Sequence, residues 1–353
     1  MKSTICIAED RAVFEPAIKL LIFSLSKHNP EAAVNLFYPP AQSGLVDWLK
    51  QYPTVNLRKA GLRNGYGWNV KPQAMLQLLD EGFDEVVWID SDIIVNRDIF
   101  PLFSGLPSST FVATEHTLAE ERNDDNALRA RLWGIPVGRV LPFALSSGVV
   151  RATMDHRRLL QRWWELLQTE KYQQVQRMKW KERPIHMLGD QDVLTALLTS
   201  EEFSQVPIRV LRRGKHVIQF DGIYGYTVAE RMRNLLGDGP AMIHSGASKP
   251  WSVEWRLEPA RGMREFIKML YLDLSPYTIA ALRLREAVNC ETAWMEPHYG
   301  LSRFQRALGM GLPALVGMPM AIFADAIRLF KQIQKLGHTA FASAASSSAR
   351  PSS

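Results

Sequence analysis

The chain predicts an α/β fold: a mainly parallel sheet with flanking helices, followed by a helical C-terminal extension. Three observations predict it. Short apolar strand-like runs alternate with helically spaced stretches from the first residues onward. One run, Val86-Val87-Trp88-Ile89, is continuously apolar and ends on Asp90-Ser91-Asp92, as a strand buried on both faces of an α/β sheet does. After Trp251 the strand signals stop and helical spacing takes over.

In order, Thr4–Ala8 reads as a strand and Phe14–Lys27 as a helix ended by Asn29-Pro30. Ala33–Tyr38 is a second strand, stopped by Pro39-Pro40, and Val55–Arg58 a third. The segment 61–69 is a turn-rich loop with no core pattern. Pro72–Leu79 is a helix with proline in its first turn, where the missing N–H costs nothing. Val86–Asp90 and Thr110–Thr114 continue the strands. The highly charged 116–132 segment reads as a helix over the sheet edge, and Pro142–Val150 is an apolar run interrupted by Ser146-Ser147-Gly148. Asp155 is the expected cap of a helix running to about Lys171. Met187–Leu198 is a further helix, opened by Gly189-Asp190-Gln191-Asp192, and Met242–Ile243 a short apolar stretch followed by His244. Helices at about Pro259–Tyr271 and Ser275–Ala287 come next. The expected division is an α/β domain over 1–255, a helical, basic extension over 256–337 and a low-complexity, disordered tail over 338–353.

A length of 353 residues suffices for one large or two small domains. Two cysteines, Cys6 and Cys290, give neither a disulfide framework nor a clustered metal pattern, which fits a reducing compartment. The N-terminal apolar run is too short and too interrupted for a signal-peptide core. From position 300 on, six Lys/Arg face one Asp, so +5 of the net +6 lies there. Such a tail suits an anionic surface; no basic stripe interleaved with aromatics runs through the main body, which excludes nucleic acid as the expected partner.

Ligands of open α/β sheets bind beyond the carboxyl ends of the strands, where Asp90 and Asp92 fall. Two carboxylates held side by side repel unless a cation lies between them, and oxygen ligands suit Mn²⁺ or Mg²⁺ shared with phosphates. The competing reading is a strand end with Asp92 as a simple turn cap.

Three further segments accompany the pair: Lys71-Pro72 one helix before it, Gly189-Asp190-Gln191-Asp192, and His244-Ser-Gly-Ala-Ser-Lys249-Pro250-Trp251. With Ala8-Glu9-Asp10 at the end of the first strand, these motifs, in this order over about positions 1–251, resemble the family 8 retaining glycosyltransferases, the group of glycogenin and bacterial lipooligosaccharide galactosyltransferases. The resemblance implies a Rossmann-like GT-A fold and transfer of a hexose from a nucleotide-diphosphate sugar, usually a UDP-sugar, to a glycan or lipid-linked acceptor with retention. It implies that Asp90, Asp92 and His244 hold Mn²⁺ (or Mg²⁺) and that Lys249 binds the β-phosphate. It places Asp190 on sugar hydroxyls and Gln191 near the anomeric carbon, with Asp192 anchoring the loop. Ala8, Glu9 and Asp10 would hold base and ribose, Glu9 standing where Asp is usual. Lys71, Ser91, Ser146 and Gly246 complete the donor site by the same match. Ser146 replaces the usual Asn, and the His244–Gly246 spacing is one residue short, which removes up to ~3.3 Å of reach.

Two rivals remain at this level. A haloacid-dehalogenase-type phosphohydrolase would use Asp90 as nucleophile, but Ile94 stands where Thr or Val is usual. A non-catalytic sugar-nucleotide-binding relative is compatible with Ser146 and the short loop. The uncharged stretch Ala307–Ala324 is near the length of a membrane span, yet Pro313, Pro319 and three glycines break it. With the amphipathic Asp325–Leu336 it reads instead as a segment for peripheral contact with an anionic membrane, which would put the protein in the cytoplasm at the inner face, or as an accessory helix packed on the enzyme.

Overall fold

The computed structural model describes residues 2–59, 62, 67–116, 126–220, 225–246, 249–252, 260–288, 293–330 and 333–334. The loop at 61–69 lies largely outside them, as do residues 117–125 of the charged segment, Cys290 and the low-complexity tail.

A seven-stranded sheet runs through the molecule. Its strands are β1 (Ser3–Ala8), β2 (Val34–Phe37), β3 (Val55–Arg58), β4 (Glu85–Ile89), β6 (Phe111–Glu115), β7 (Leu145–Thr153) and β8 (Ile208–Leu211), in the order β3-β2-β1-β4-β7-β6-β8. β7 is antiparallel to both β4 and β6, and every other pairing is parallel. The sheet is thus mainly parallel, as the sequence predicts. A smaller sheet joins β5 (Ile93–Val95), β10 (Met242–His244) and β9 (Val217–Gln219) in the order β5-β10-β9.

Side-chain alternation along each strand feeds two cores. Ile5 and Ile7 of β1 with Val87 and Ile89 of β4 face α1 (Glu15–His28), α2 (Ser43–Leu49) and the small sheet. Cys6, Val86 and Trp88 face the opposite way, onto α3 (Lys71–Asp80), α5 (Arg157–Leu167) and α7 (Asp190–Thr199). Between these elements lie α4 (Ala127–Leu132), α6 (Glu170–Gln176) and α8 (Val228–Leu236); α9 (Met263–Asp273), α10 (Pro276–Val288) and α11 (Gly300–Leu308) follow, then a helix over 318–330.

The expected long helix from Asp155 is divided. Thr153 is the cap: its hydroxyl accepts the Asp155 N–H, while His156 Nδ1 accepts the Thr153 N–H at 3.0 Å. A short 3-10 turn at Met154–His156 leads into α5, which stops at Leu167; Thr169 then caps α6 afresh. Thr169 is the physical reason for the break, because its hydroxyl serves the Tyr172 N–H in place of a continuing helical bond.

Candidate metal and sugar-phosphate site

β4 ends at Ile89, and Asp90-Ser91-Asp92 form the turn that carries the chain from the large sheet into β5 of the small one. The turn is fixed by backbone bonds: Asp90 N–H to Gly148 O at 2.9 Å and Ile93 N–H to Asp90 O at 3.2 Å. The two carboxylates face different neighbours. Asp90 follows Trp88 by two residues, accepts its indole N–H at 2.7 Å, and pairs with Lys71 Nζ at 2.9 Å. Asp92 pairs with Lys249, whose ammonium also reaches the carbonyls of Ser245 and Gly246. His244 Nε2 stands between them, 3.2 Å from Asp92 and 3.6 Å from Asp90.

The imidazole is held from behind. Its Nδ1–H donates to Gln219 Oε1 at 2.7 Å, which turns Nε2 toward the carboxylates. It packs against Gly148, where an added Cβ would come within 2.9 Å of His244 Cε1 and 3.0 Å of Nδ1. Ligand atoms of Asp90, Asp92 and His244 lie within 4.8 Å of one another. Two hard oxygens and one nitrogen oriented by an amide form a donor set that fits a divalent metal ion.

Electrostatics favour the charged forms of Asp92, His244 and Lys71. Burial alone would raise the Asp92 carboxyl, but Lys249 and His244 outweigh it and hold it well below the carboxylate range. Burial would likewise lower His244 and Lys71, yet the surrounding carboxylates push both above their ordinary values.

Asp190 lies across from Asp90. It is the first residue of α7; its carbonyl accepts the Trp163 indole N–H at 2.9 Å, and its carboxylate accepts the Ser147 hydroxyl at 2.6 Å. Lys71 at the first position of α3 lies 3.4 Å from Asp190 and donates to Ser147 Oγ at 2.8 Å. Burial raises the Asp190 carboxyl, partly offset by Lys71 and Ser147. Gln191 follows, partly exposed in the first turn of α7. Asp192 anchors the turn, accepting the Gly189 N–H at 3.1 Å and Arg129 Nε at 2.9 Å.

The remaining expected contacts are arranged differently. Glu9 is buried, and its carboxylate is engaged within the protein: it takes Arg11 through Nε at 2.7 Å and the second guanidinium nitrogen at 2.9 Å, and the Ser91 hydroxyl at 2.7 Å. Glu9 and Ser91 therefore brace the Asp90–Asp92 turn against the end of β1. Asp10 is exposed and Ala8 is the last residue of β1. Ser146 turns its hydroxyl back to the Gly148 N–H at 3.3 Å, and Ser147 is the serine between Lys71 and Asp190. Gly246 donates its N–H to Phe220 O at 3.1 Å. Gln219 and Trp88 are site residues that the motifs do not single out, although Trp88 lies in the apolar run that ends on Asp90; Ser147 and Gly148 follow Ser146 in its motif, which gave them no role.

No protein-family model matches the chain, and no curated protein matches it. Among solved structures it is similar to the bifunctional glycosyltransferase WbbM in its apo form, at 16% identity and a TM-score of 0.45, over 71% of this chain and 47% of that one. The chain thus spans about half the length of WbbM. It is similar to the galactosyltransferase LgtC in complex with donor and acceptor sugar analogs, at 16% identity and a TM-score of 0.47, over 71% of this chain and 90% of that one. Mouse xyloside xylosyltransferase 1 is similar at 15% identity and a TM-score of 0.44, over 69% of this chain and 98% of that one.

Proposed function

We propose that the protein is a divalent-metal-dependent GT-A-type glycosyltransferase of the family 8 kind, moving a hexose from a nucleotide-diphosphate sugar, most simply a UDP-sugar, to a glycan or lipid-linked acceptor. The observation that carries the reading is the Asp90–Asp92–His244 donor set, oriented by Gln219 at the carboxyl end of a central strand and flanked by two lysines. A Mn²⁺ or Mg²⁺ ion held there would neutralise a diphosphate and favour its departure. Lys249 is within reach of the same charge and would pass from Asp92 to the β-phosphate as donor binds. Asp190, kept near Lys71, would take the sugar hydroxyls, and Gln191, which is no base, would position the anomeric centre. Retention follows if the acceptor attacks on the face from which the diphosphate leaves. Glu9 and Ser91 act through the turn they brace; base and ribose then fall to the surrounding backbone of Ala8–Asp10.

The test is incubation with Mn²⁺ and a panel of nucleotide sugars, following release of nucleoside diphosphate. Turnover of one donor class is expected, and Asp92→Asn should lower it roughly 10³-fold, since a Lewis-acid metal supplies several kcal/mol. Turnover that survives Asp92→Asn would refute the metal assignment. Metal and UDP binding without turnover of any donor would favour a non-catalytic relative, a reading supported by Lys249 being seated on Asp92 and two carbonyls.

A further inference from the structure

α11 is packed inside out. Its inward face is polar: Ser302 and Gln305 are buried, the Ser302 hydroxyl donates to Asp273 at 2.7 Å, and Arg306 donates to the carbonyls of Asp273 and Met295. Its outward face carries Leu301, Phe304 and Leu308, with Phe304 61% exposed. Residues three and four apart share a helix face, so these three form one apolar stripe in water.

The helix over 318–330 also turns an apolar face outward. Ala321 and Ala324 face inward, while Ile322, Phe323, Leu329 and Phe330 are exposed, and Ile333 continues the row. The turn at 309–317 between the helices places Met310 at its tip, 75% exposed and with φ of 48°, the one non-glycine residue in the left-handed region among those described. A bulky apolar residue at a strained, solvent-facing tip gains nothing from the fold. Among the described residues no helix is long and apolar enough to cross a membrane.

We propose that this two-helix face docks on an anionic phospholipid bilayer, lying in the interface with its aromatic and aliphatic side chains inserted. Charge complementarity selects that occupant. Arg303 lies exposed between Leu301 and Phe304 on α11, and Lys331, Lys335 and Arg350 follow in the chain, against Asp325 alone after position 300. An amphipathic segment with aromatic insertion and a basic border binds anionic lipid through buried apolar area and through charge. The site residues are not part of this face, so docking leaves the proposed transfer chemistry at the carboxyl ends of the central strands untouched.

Vesicle flotation of the full chain tests it, with phosphatidylcholine vesicles carrying or lacking phosphatidylglycerol. Flotation should require phosphatidylglycerol and weaken at high salt. The triple variant Phe304→Ser, Phe323→Ser, Phe330→Ser should lose at least tenfold in partitioning, and Arg303→Glu should weaken it severalfold. Both should keep the melting temperature and the donor turnover in solution of the unaltered protein. Equal flotation of the triple variant, or no flotation of the unaltered chain, overturns the proposal. So does a dimer in solution that the triple variant dissociates without any binding to vesicles. Flotation is read without turnover, so its failure is distinguishable from failure of the sugar-transfer reading.

Discussion

A histidine ligates a cation through one nitrogen, and here Gln219 selects which. By accepting a hydrogen bond from Nδ1–H it turns Nε2 toward Asp90 and Asp92. Replacing Gln219 with Leu is expected to weaken Mn²⁺ binding about 10–100-fold, the usual cost of losing such a partner, measured by titration calorimetry. Unchanged affinity would show that the imidazole is oriented by packing alone. The packing partner is Gly148, whose backbone is not left-handed, so the constraint there is purely spatial. Gly148→Ala should displace the imidazole and lower metal affinity about tenfold, while overpacking costs about 1–3 kcal/mol in melting. A destabilised protein with intact Mn²⁺ affinity would refute the steric account. Asp90, Asp92 and His244 were legible because their chemistry is written in side-chain type and order. Gln219 was not, because an amide acting through another residue has no spacing of its own in the chain.

Elements that place the site differ in how far the sequence exposes them. The apolar runs of β1, β2 and β4 bury both faces and read directly as strands. β5 and β9 are three residues each, held by tertiary pairing with β10, and no period can be seen in so short a run. The junction of β7 and α5 shows a second kind of hidden signal. There a histidine completes a cap that the chain suggests should be an aspartate: His156 Nδ1 accepts the Thr153 N–H and Nε2–H donates to Ser109 O at 3.0 Å. The Nδ1 contact requires the neutral ring, and burial depresses its proton affinity below the ordinary value, although the Nε2–H bond to Ser109 opposes that shift. The sign follows by linkage. The unfolded chain binds this proton first as pH falls, so stability contributed by His156 is present above its ordinary pKa and is lost as pH drops from there toward the depressed folded value. Urea midpoints measured from pH 7.5 to 5 should therefore fall more steeply for the unaltered protein than for His156→Gln. Parallel curves would remove His156 from the acid sensitivity.

On the scale of the molecule, the C-terminal helices have a small cluster of their own at Leu270, Leu274, Ile279 and Val316, but their aromatic side chains share a larger core with the first helix. Trp251, two residues beyond Lys249, is buried among Phe14, Tyr277 and Trp294, with ring centroids 5.3, 5.3 and 6.0 Å away. Phe14 in turn lies under the Arg11 guanidinium that holds Glu9. One aromatic cluster thus joins the Lys249 arm, the end of β1 and α10, and Ile94 and Ile243 of the small sheet belong to it. The change to helical spacing after Trp251 marks the extension in the sequence, but the dependence of the site upon it is visible only in three dimensions, since the cluster draws residues from both ends of the chain. A chain ending at 259 would strip Tyr271, Tyr277 and Trp294 from this core and leave Phe14, Trp251 and Ile94 in water. Removing one buried aromatic of this kind costs about 3–5 kcal/mol, and a domain holds only about 5–15 in total. The truncated chain is expected to aggregate or to melt without cooperativity, and the full chain to unfold in a single transition by calorimetry. A soluble 1–259 fragment that melts cooperatively and binds Mn²⁺ like the full chain would make the C-terminal helices a separable appendage, with Lys249 held by its loop alone.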